Sequence, residues 1–512
     1  MGIKKYYATK DNTITNAFKA NLSTRATGSN MGASDILEAF VIHGQTTASV
    51  SGTPSAGNAV NAEQSRIILE FPIPTISSDM TSGILPTLSG SLKFYLNMYN
   101  APHGNTVPLN YNLDVYMLSQ SWTEGRGLDM DNYGDLGYSN WESGSTSTRW
   151  QTKDLTAQPG GSHLSPGSTE AYPTSSVFFE SGLENIEHDV SEIVYSWLNG
   201  TTNSGFLIKF PDSAVSGSET LYTKMFFGRT SEFYNYRPTL EARWDSSRKD
   251  NRGSFFISSS LVSADNNMNT LYLYNNVRGQ LQNIPNLENN TLDVRIYSGT
   301  TVPLGVPLEL RDHKQALATV TEAGLLKENG HVITGIYTAS FASSSSYDNV
   351  YDVWSTGSAA SKVEFFTGSY SPERVQTSDL LFAEEYVTSI TNLENSYLKG
   401  QKPKLRVFIR NKNWSPNIYT VASQKIVPEI IENAYYRIYR VIDNLSIVSF
   451  GTGSENNQFS RLSYDVSGNY FDLNTSFLEP GYAYGIQFAY YLQGIYSEQP
   501  QIFKFKIKEE DK

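Results

Sequence analysis

Apolar and polar residues alternate with a period of two along most of this chain. The alternation runs through Ile67-Ile68-Leu69-Glu70-Phe71, Ser91-Leu92-Lys93-Phe94-Tyr95-Leu96 and Leu113-Asp114-Val115-Tyr116-Met117. It returns in Leu271-Tyr272-Leu273-Tyr274, Leu292-Asp293-Val294-Arg295-Ile296-Tyr297, Leu405-Arg406-Val407-Phe408-Ile409 and Ile502-Phe503-Lys504-Phe505-Lys506-Ile507. Neighbouring side chains of an extended strand point to opposite faces, so each stretch predicts a strand with one buried face. Runs of Gly, Ser, Asn and Pro between them predict turns. Many short strands joined in this way predict sandwiches or barrels.

A helical period is scarce. Val190, Ile193, Val194 and Trp197 fall at i, i+3, i+4 and i+7, and Asn199-Gly200 follows as a stop. This predicts one short amphipathic helix. Ala434-Tyr435-Tyr436-Arg437-Ile438-Tyr439-Arg440 reads as strand, because its aromatics alternate. At roughly 100–200 residues per domain, 512 residues allow about three domains. The polar run Asp245–Gly253 marks one boundary, and a second falls between Tyr370 and Glu385. No strict repeat of about 20–50 residues occurs. The expected architecture is all-β: a jelly-roll-like β-sandwich over 1–245, then two immunoglobulin-like β-sandwich modules over 254–380 and 385–512. Gly335–Phe341 and Val350–Trp354 look like two strands of such a module, and the tail Gln501–Lys508 is expected to pair with a strand around Ala483–Phe488.

Composition narrows the function. The net charge of −12 argues against nucleic acid and against an anionic membrane surface, both of which need clustered Lys and Arg. The chain holds no cysteine, which excludes thiolate catalysis, disulfides and Cys-based zinc sites, and favours synthesis in a reducing cytosol. Met1–Tyr6 has no apolar core of a signal peptide, and no run of about 18 apolar residues predicts membrane insertion. The 33 Tyr and 25 Phe suit pleated, half-buried surfaces.

A series of motifs then appears in order. Tyr6-Tyr7-Ala8-Thr9-Lys10 is followed by Asn30-Met31-Gly32, and Ser65–Phe71 by Pro72-Ile73-Pro74. Next come Ser119-Gln120-Ser121-Trp122-Thr123-Glu124-Gly125 with Trp141 downstream, and His188-Asp189-Val190-Ser191 leading to Trp197-Leu198-Asn199-Gly200. Gly205–Phe210, Phe226–Glu232 and Arg237-Pro238-Thr239-Leu240-Glu241-Ala242-Arg243-Trp244 close the series. In order and spacing, residues 1–245 resemble the DNRLRE-type carbohydrate-binding sandwich domains. The resemblance implies a sandwich fold and a carbohydrate-binding ancestry. Long Gly/Ser/Thr-rich insertions at 44–64 and 142–176 depart from the family's pattern. The tandem β modules behind it resemble, in style, those of tailed-phage virion proteins.

Candidate chemistry is sparse. Trp122 and Trp141 lie near loops and are the better candidates for platforms that stack on a sugar, with core packing the competing reading, whereas Trp197 and Trp244 read as core. Asp129, Asp131 and Asp135 form the densest carboxylate group and a candidate Ca²⁺ site, since hard cations take six to eight oxygens. It is not an EF-hand: Tyr133 stands at a ligand position and Asn140 where Glu is needed. Glu124 with Asp129 or Glu142 is a conceivable glycosidase pair. The six His are dispersed, and neither a nucleophile elbow nor a phosphate loop occurs. No catalytic residue and no cofactor beyond that Ca²⁺ is expected. The leading expectation is a non-enzymatic virion structural protein of a tailed bacteriophage, made in the host cytoplasm. It would sit in the tail, neck or fibre or decorate the capsid, touching other virion proteins and copies of itself. A carbohydrate-binding or host-adhesion module meeting a cell-surface glycan, and a polysaccharide-active enzyme, are the rivals.

Overall fold

The computed structural model describes residues 2–21, 24–43, 62–87, 92–102, 104, 107–152, 154–163, 173–216, 219–260, 262–356, 362–373, 385–412, 428–451, 458–492 and 494–509. Strand outweighs helix, 45% to 8%, so the chain is all-β and sandwich-type, as the period-two pattern predicts. It forms two compact units, Ile3–Arg243 and the combination of Met1–Gly2 with Trp244–Lys512.

The first unit holds β1 (Ile3–Tyr7), β2 (Lys10–Thr15), β3 (Ile36–Ile42), β4 (Glu63–Glu70), β5 (Lys93–Met98), β6 (Tyr111–Met117), β7 (Ser143–Ser145) and β8 (Thr148–Arg149). It continues with β9 (Ser175–Phe179), β10 (Ile186–Asp189), β11 (Phe206–Lys209), β12 (Leu221–Phe227) and β13 (Thr239–Arg243). One sheet runs β1-β13-β5-β10, and a larger one runs β12-β3-β4-β11-β6-β9 with β2 also on β4. The unit's first and last strands pair antiparallel, Ile3 opposite Arg243. Just outside them, Trp244 N–H donates to Gly2 O at 2.8 Å within the second unit.

The predicted helix is α2 (Ser191–Leu198), after α1 (Ile73–Thr81). Ile193, Val194 and Trp197 are buried, and Trp197 meets Phe206 edge-on at 4.7 Å. Gly200 stops the helix at φ 107°, a conformation a side chain would strain. α1 is an addition to the sequence reading. Pro74 in its first turn pre-sets the helical φ, and Ile73 and Ile76 bury one face.

In the second unit, β14 (Asn269–Tyr274), β15 (Asn276–Val277), β16 (Gln280–Leu281), β17 (Leu292–Ser298), β18 (Leu310–Arg311) and β19 (Leu317–Ala318) precede β20 (Thr321–Glu328), β21 (His331–Phe341), β22 (Val350–Thr356) and β23 (Val363–Tyr370). A six-stranded sheet runs β14-β21-β20-β17-β22-β23 over a core that includes Tyr337, Phe341 and Trp354. β24 (Tyr386–Ile390), β25 (Ser396–Leu398), β26 (Lys404–Asn411), β27 (Ala434–Arg440), β28 (Ser446–Val448), β29 (Ser463–Asp465), β30 (Gly468–Asp472), β31 (Ala483–Leu492) and β32 (Ile495–Lys508) follow. They form the sheets β24-β26-β30-β29 and β25-β32-β31-β27-β28. Residues 248–252 are stitched to both groups of strands. Tyr464 N–H donates to Arg248 O, Arg248 pairs with Glu328, and Arg252 pairs with the fully buried Asp352 at 2.8 Å.

Candidate functional site

β4 is apolar without interruption at Ile67-Ile68-Leu69, all fully buried, so both faces of this strand are covered. One cover is the segment that leaves β6. Leu118, Trp122, Trp141 and Trp150 from it pack with Ile14, Ile68, Tyr116 and Leu207, one residue each from β2, β4, β6 and β11. Trp122 Nε1 donates to Ser204 O at 2.9 Å and Trp150 Nε1 to Asn140 O at 2.7 Å. Arg66 lies over the Trp141 ring at 4.7 Å. Trp122 and Trp141 are therefore 4% and 7% exposed, and neither offers a face to a sugar. The expected stacking platform is corrected on this point: the loops that carry both rings fold back onto the sheet.

The motifs around them build a latch. The Asn30 amide, wholly buried, donates to Glu124 O at 2.5 Å and Ser139 O at 2.9 Å. Its Oδ1 accepts from Gly32 N–H at 3.1 Å and Gly127 N–H at 3.0 Å. A Cβ on Gly125 or Gly127 would overlap Asn30, so this close approach requires glycine. Asn12 closes the other side, donating to Ser139 and accepting from Met31 N–H. Glu124 is equally committed. Its carboxylate takes Asp11 N–H at 2.8 Å and both Nε and Nη2 of Arg229, at 3.0 and 2.7 Å. Burial pushes the adjacent Asp11 carboxyl up to about 7, against the opposing N–H of Arg229, and its Oδ1 has no hydrogen-bond partner. The Glu124 carboxylate thus ties β2 to Arg229.

The three aspartates do not converge. Asp129 Oδ1 accepts from the N–H groups of Asp131, Asn132 and Tyr133, and these bonds hold its carboxyl below the usual range. Asp131 Oδ2 accepts from Ala20 N–H at 3.2 Å, and Asp135 Oδ2 from Arg126 N–H at 2.8 Å. Among the described residues no group of three or more His, Asp or Glu is arranged to hold a metal ion. The Ca²⁺ expectation is corrected accordingly: the three carboxylates are not arranged as a ligand set, and one oxygen of each is held by a backbone N–H.

The Asp129 loop lines something else. β3 pairs with β4 only at Phe40–Ile42, against Glu63–Ser65, while β2 pairs with β4 from Ser65 to Glu70. Both ladders share Ser65, and beyond it side-chain hydroxyls hold the β3 backbone. Glu38 N–H donates to Thr13 Oγ1, Ser65 Oγ to Glu38 O, and Phe40 N–H to Ser65 Oγ, at 2.8–3.0 Å. A cavity of about 310 Å³ opens here, lined by Ile36, Glu38 and Phe40 of β3, Thr13 and Thr15 of β2, Met31, Ser34 and Ser65, and residues 128–132. Ile36, Glu38 and Phe40 share one face of β3, while Leu37, Ala39 and Val41 are buried on the other. Burial raises the Glu38 carboxyl above its ordinary value. Sequence reading passed over Glu38. Its one signal is a charge inside the apolar run Ile36-Leu37-Glu38-Ala39-Phe40-Val41-Ile42.

No protein-family model matches the chain, and no curated protein matches it. Among solved structures it is similar to trypsin-activated alpha-2-macroglobulin from Escherichia coli, at 8% identity over 90% of this chain. The chain spans 23% of that protein's length, and the TM-score of 0.16 carries no argument about fold or role.

Proposed function

We propose that the chain is a non-enzymatic structural protein of an assembled particle, of the kind found in tailed-bacteriophage virions, acting through protein–protein contacts. The observation that carries this reading is apolar strand surface at a sheet edge. β23 ends the six-stranded sheet, with only β22 beside it among the described residues. Val363 is 52% exposed, Phe365 39% and Phe366 37%. Its one charge is Glu364 and it holds neither Lys nor Pro, though its pairing with β22 is irregular at Phe365. The occupant we assign is the same strand of a second copy, which would continue both faces of the sheet and satisfy the open backbone groups. The engagement of Glu124 with Arg229, and of Asp129, Asp131 and Asp135 with backbone amides, supports the non-enzymatic half of the reading. No helix among the described residues is long and apolar enough to cross a membrane.

Sedimentation velocity across a range of concentrations tests this. Self-association through an interface above about 1,000 Å² in total is expected. Val363→Lys with Phe365→Lys should abolish it. A monomer at every concentration, or association indifferent to both substitutions, refutes the reading.

A further inference from the structure

We propose that the cavity where β2 and β3 part receives a lysine or arginine side chain of a partner protein, with Glu38 as its counter-ion. Ile36 and Phe40 flank Glu38 on the same face of β3, and Met31, Leu128 and Met130 add apolar wall. The Glu38 carboxylate makes no ion pair or hydrogen bond among the described residues. A cation that brings its own apolar stem can pair with such a half-buried carboxylate and cover the apolar wall around it. Lysine and arginine are such groups. Nothing in the described chain supplies the cation: burial alone shifts Glu38, while Lys19 acts on Asp129 at the rim.

Charge and size both select. Asp129 and Asp131 at the rim add negative potential that repels anionic ligands and attracts cations. One oxygen of each already accepts backbone N–H bonds, which leaves Glu38 as the carboxylate set among the apolar wall. About 310 Å³ lies at the small end for ligand sites, enough for one long side chain. That the cation arrives on a protein rests on the structural role proposed above, while the preference for an alkyl cation does not.

The test is a ligand-observed NMR titration of the full chain with Nα-acetyl-lysine N-methylamide, its arginine counterpart, the norleucine counterpart and free cadaverine. The lysine and arginine probes should bind and the norleucine probe should bind at least tenfold more weakly. Glu38→Gln should erase the difference, with a thermal melt reporting its fold, and Glu38→Asp should retain it. Should Glu38→Gln unfold, the wild type decides alone: lysine binding must fall with pH as Glu38 protonates, while norleucine binding stays level. Equal binding of norleucine, binding that ignores pH or Glu38→Gln, or no binding at all overturns the proposal. Cadaverine binding tenfold tighter than the lysine probe overturns the protein source in favour of a free polyamine. These probes are too small to bridge two copies, so their failure and a failure of self-association are read separately.

Discussion

Asn30→Ala removes four hydrogen bonds at one buried point. The amide binds Glu124 O, Ser139 O, Gly32 N–H and Gly127 N–H at 2.5–3.1 Å, and the side chain is inaccessible to solvent. Truncation leaves Glu124 O and the Gly32 and Gly127 amides facing a methyl group, while Ser139 O keeps its bond from Asn12 Nδ2. An unsatisfied buried group costs about 1–3 kcal/mol. Even at the lower bound, three of them give about 3 kcal/mol, a large share of the ~5–15 kcal/mol that holds a typical domain together. Asn30→Asp should lose as much at neutral pH. It keeps the two acceptor bonds but sets a negative charge against Glu124 O and Ser139 O. Urea unfolding of the full chain, followed by tryptophan fluorescence, should show an early transition for the first unit. Hydrogen exchange should show lost protection at residues 29–32 and 124–127. A loss under about 1 kcal/mol with these amides still protected would mean that the latch is held by something other than Asn30.

Three further outcomes are expected. Arg252→Met strips Asp352, which is fully buried, of its cation, and should cost about 3–5 kcal/mol in urea unfolding of the second unit; a near-neutral result would refute the pairing. Burial lifts Asp11 in the folded state to about 7 from an ordinary 3.8, so the fold binds this proton more tightly than the unfolded chain and loses stability as pH rises from about 4 to 7. Asp11→Asn should therefore gain on the wild type at pH 8 relative to pH 5 in thermal melts, and parallel melts at the two pH values would count against the assignment. His163 has the opposite sign: burial lowers it to about 4 from 6.5, so stability falls as pH drops from about 6.5 to 4, by about 2–3 kcal/mol. His163→Gln should flatten that acid limb, and an unchanged limb would show that another group causes it.

The strands were legible because their burial is one-sided or two-sided in ways that leave a pattern. β17 and β26 alternate as a half-buried strand must, and α2 shows the 3.6-residue period that buries Trp197. α1 escaped because Pro72-Ile73-Pro74 looks like the end of a strand, although proline is equally at home in a first helical turn. Whether Trp122 and Trp141 were core or platform was not decided by their own surroundings, which read as loop. The clue lay elsewhere, in the unbroken Ile67-Ile68-Leu69, because a strand with two apolar faces demands a second cover. The aspartate loop misled for a different reason. Spacing shows that carboxylates are near one another, but not that backbone N–H groups of the same turn reach them first. Glu38 carried its signal in plain view as the one charge in an apolar strand, and only the parting of β2 from β3 shows that it faces a cavity.

The hydrogen bond from Trp244 to Gly2 O has a meaning for how such chains are put together. The polypeptide leaves the second unit after Gly2 and rejoins it at Trp244, the residue already bonded to the point of departure. Within the first unit the entering and leaving strands run side by side, Ile3 opposite Arg243. Residues 3–243 are thus a cassette with its two ends at one doorway. Cutting there and joining Gly2 to Trp244 through a short turn would interrupt no strand of either unit. A different sandwich whose ends also meet could be spliced into the same doorway, so the first unit can be exchanged whole without cutting a strand of the second.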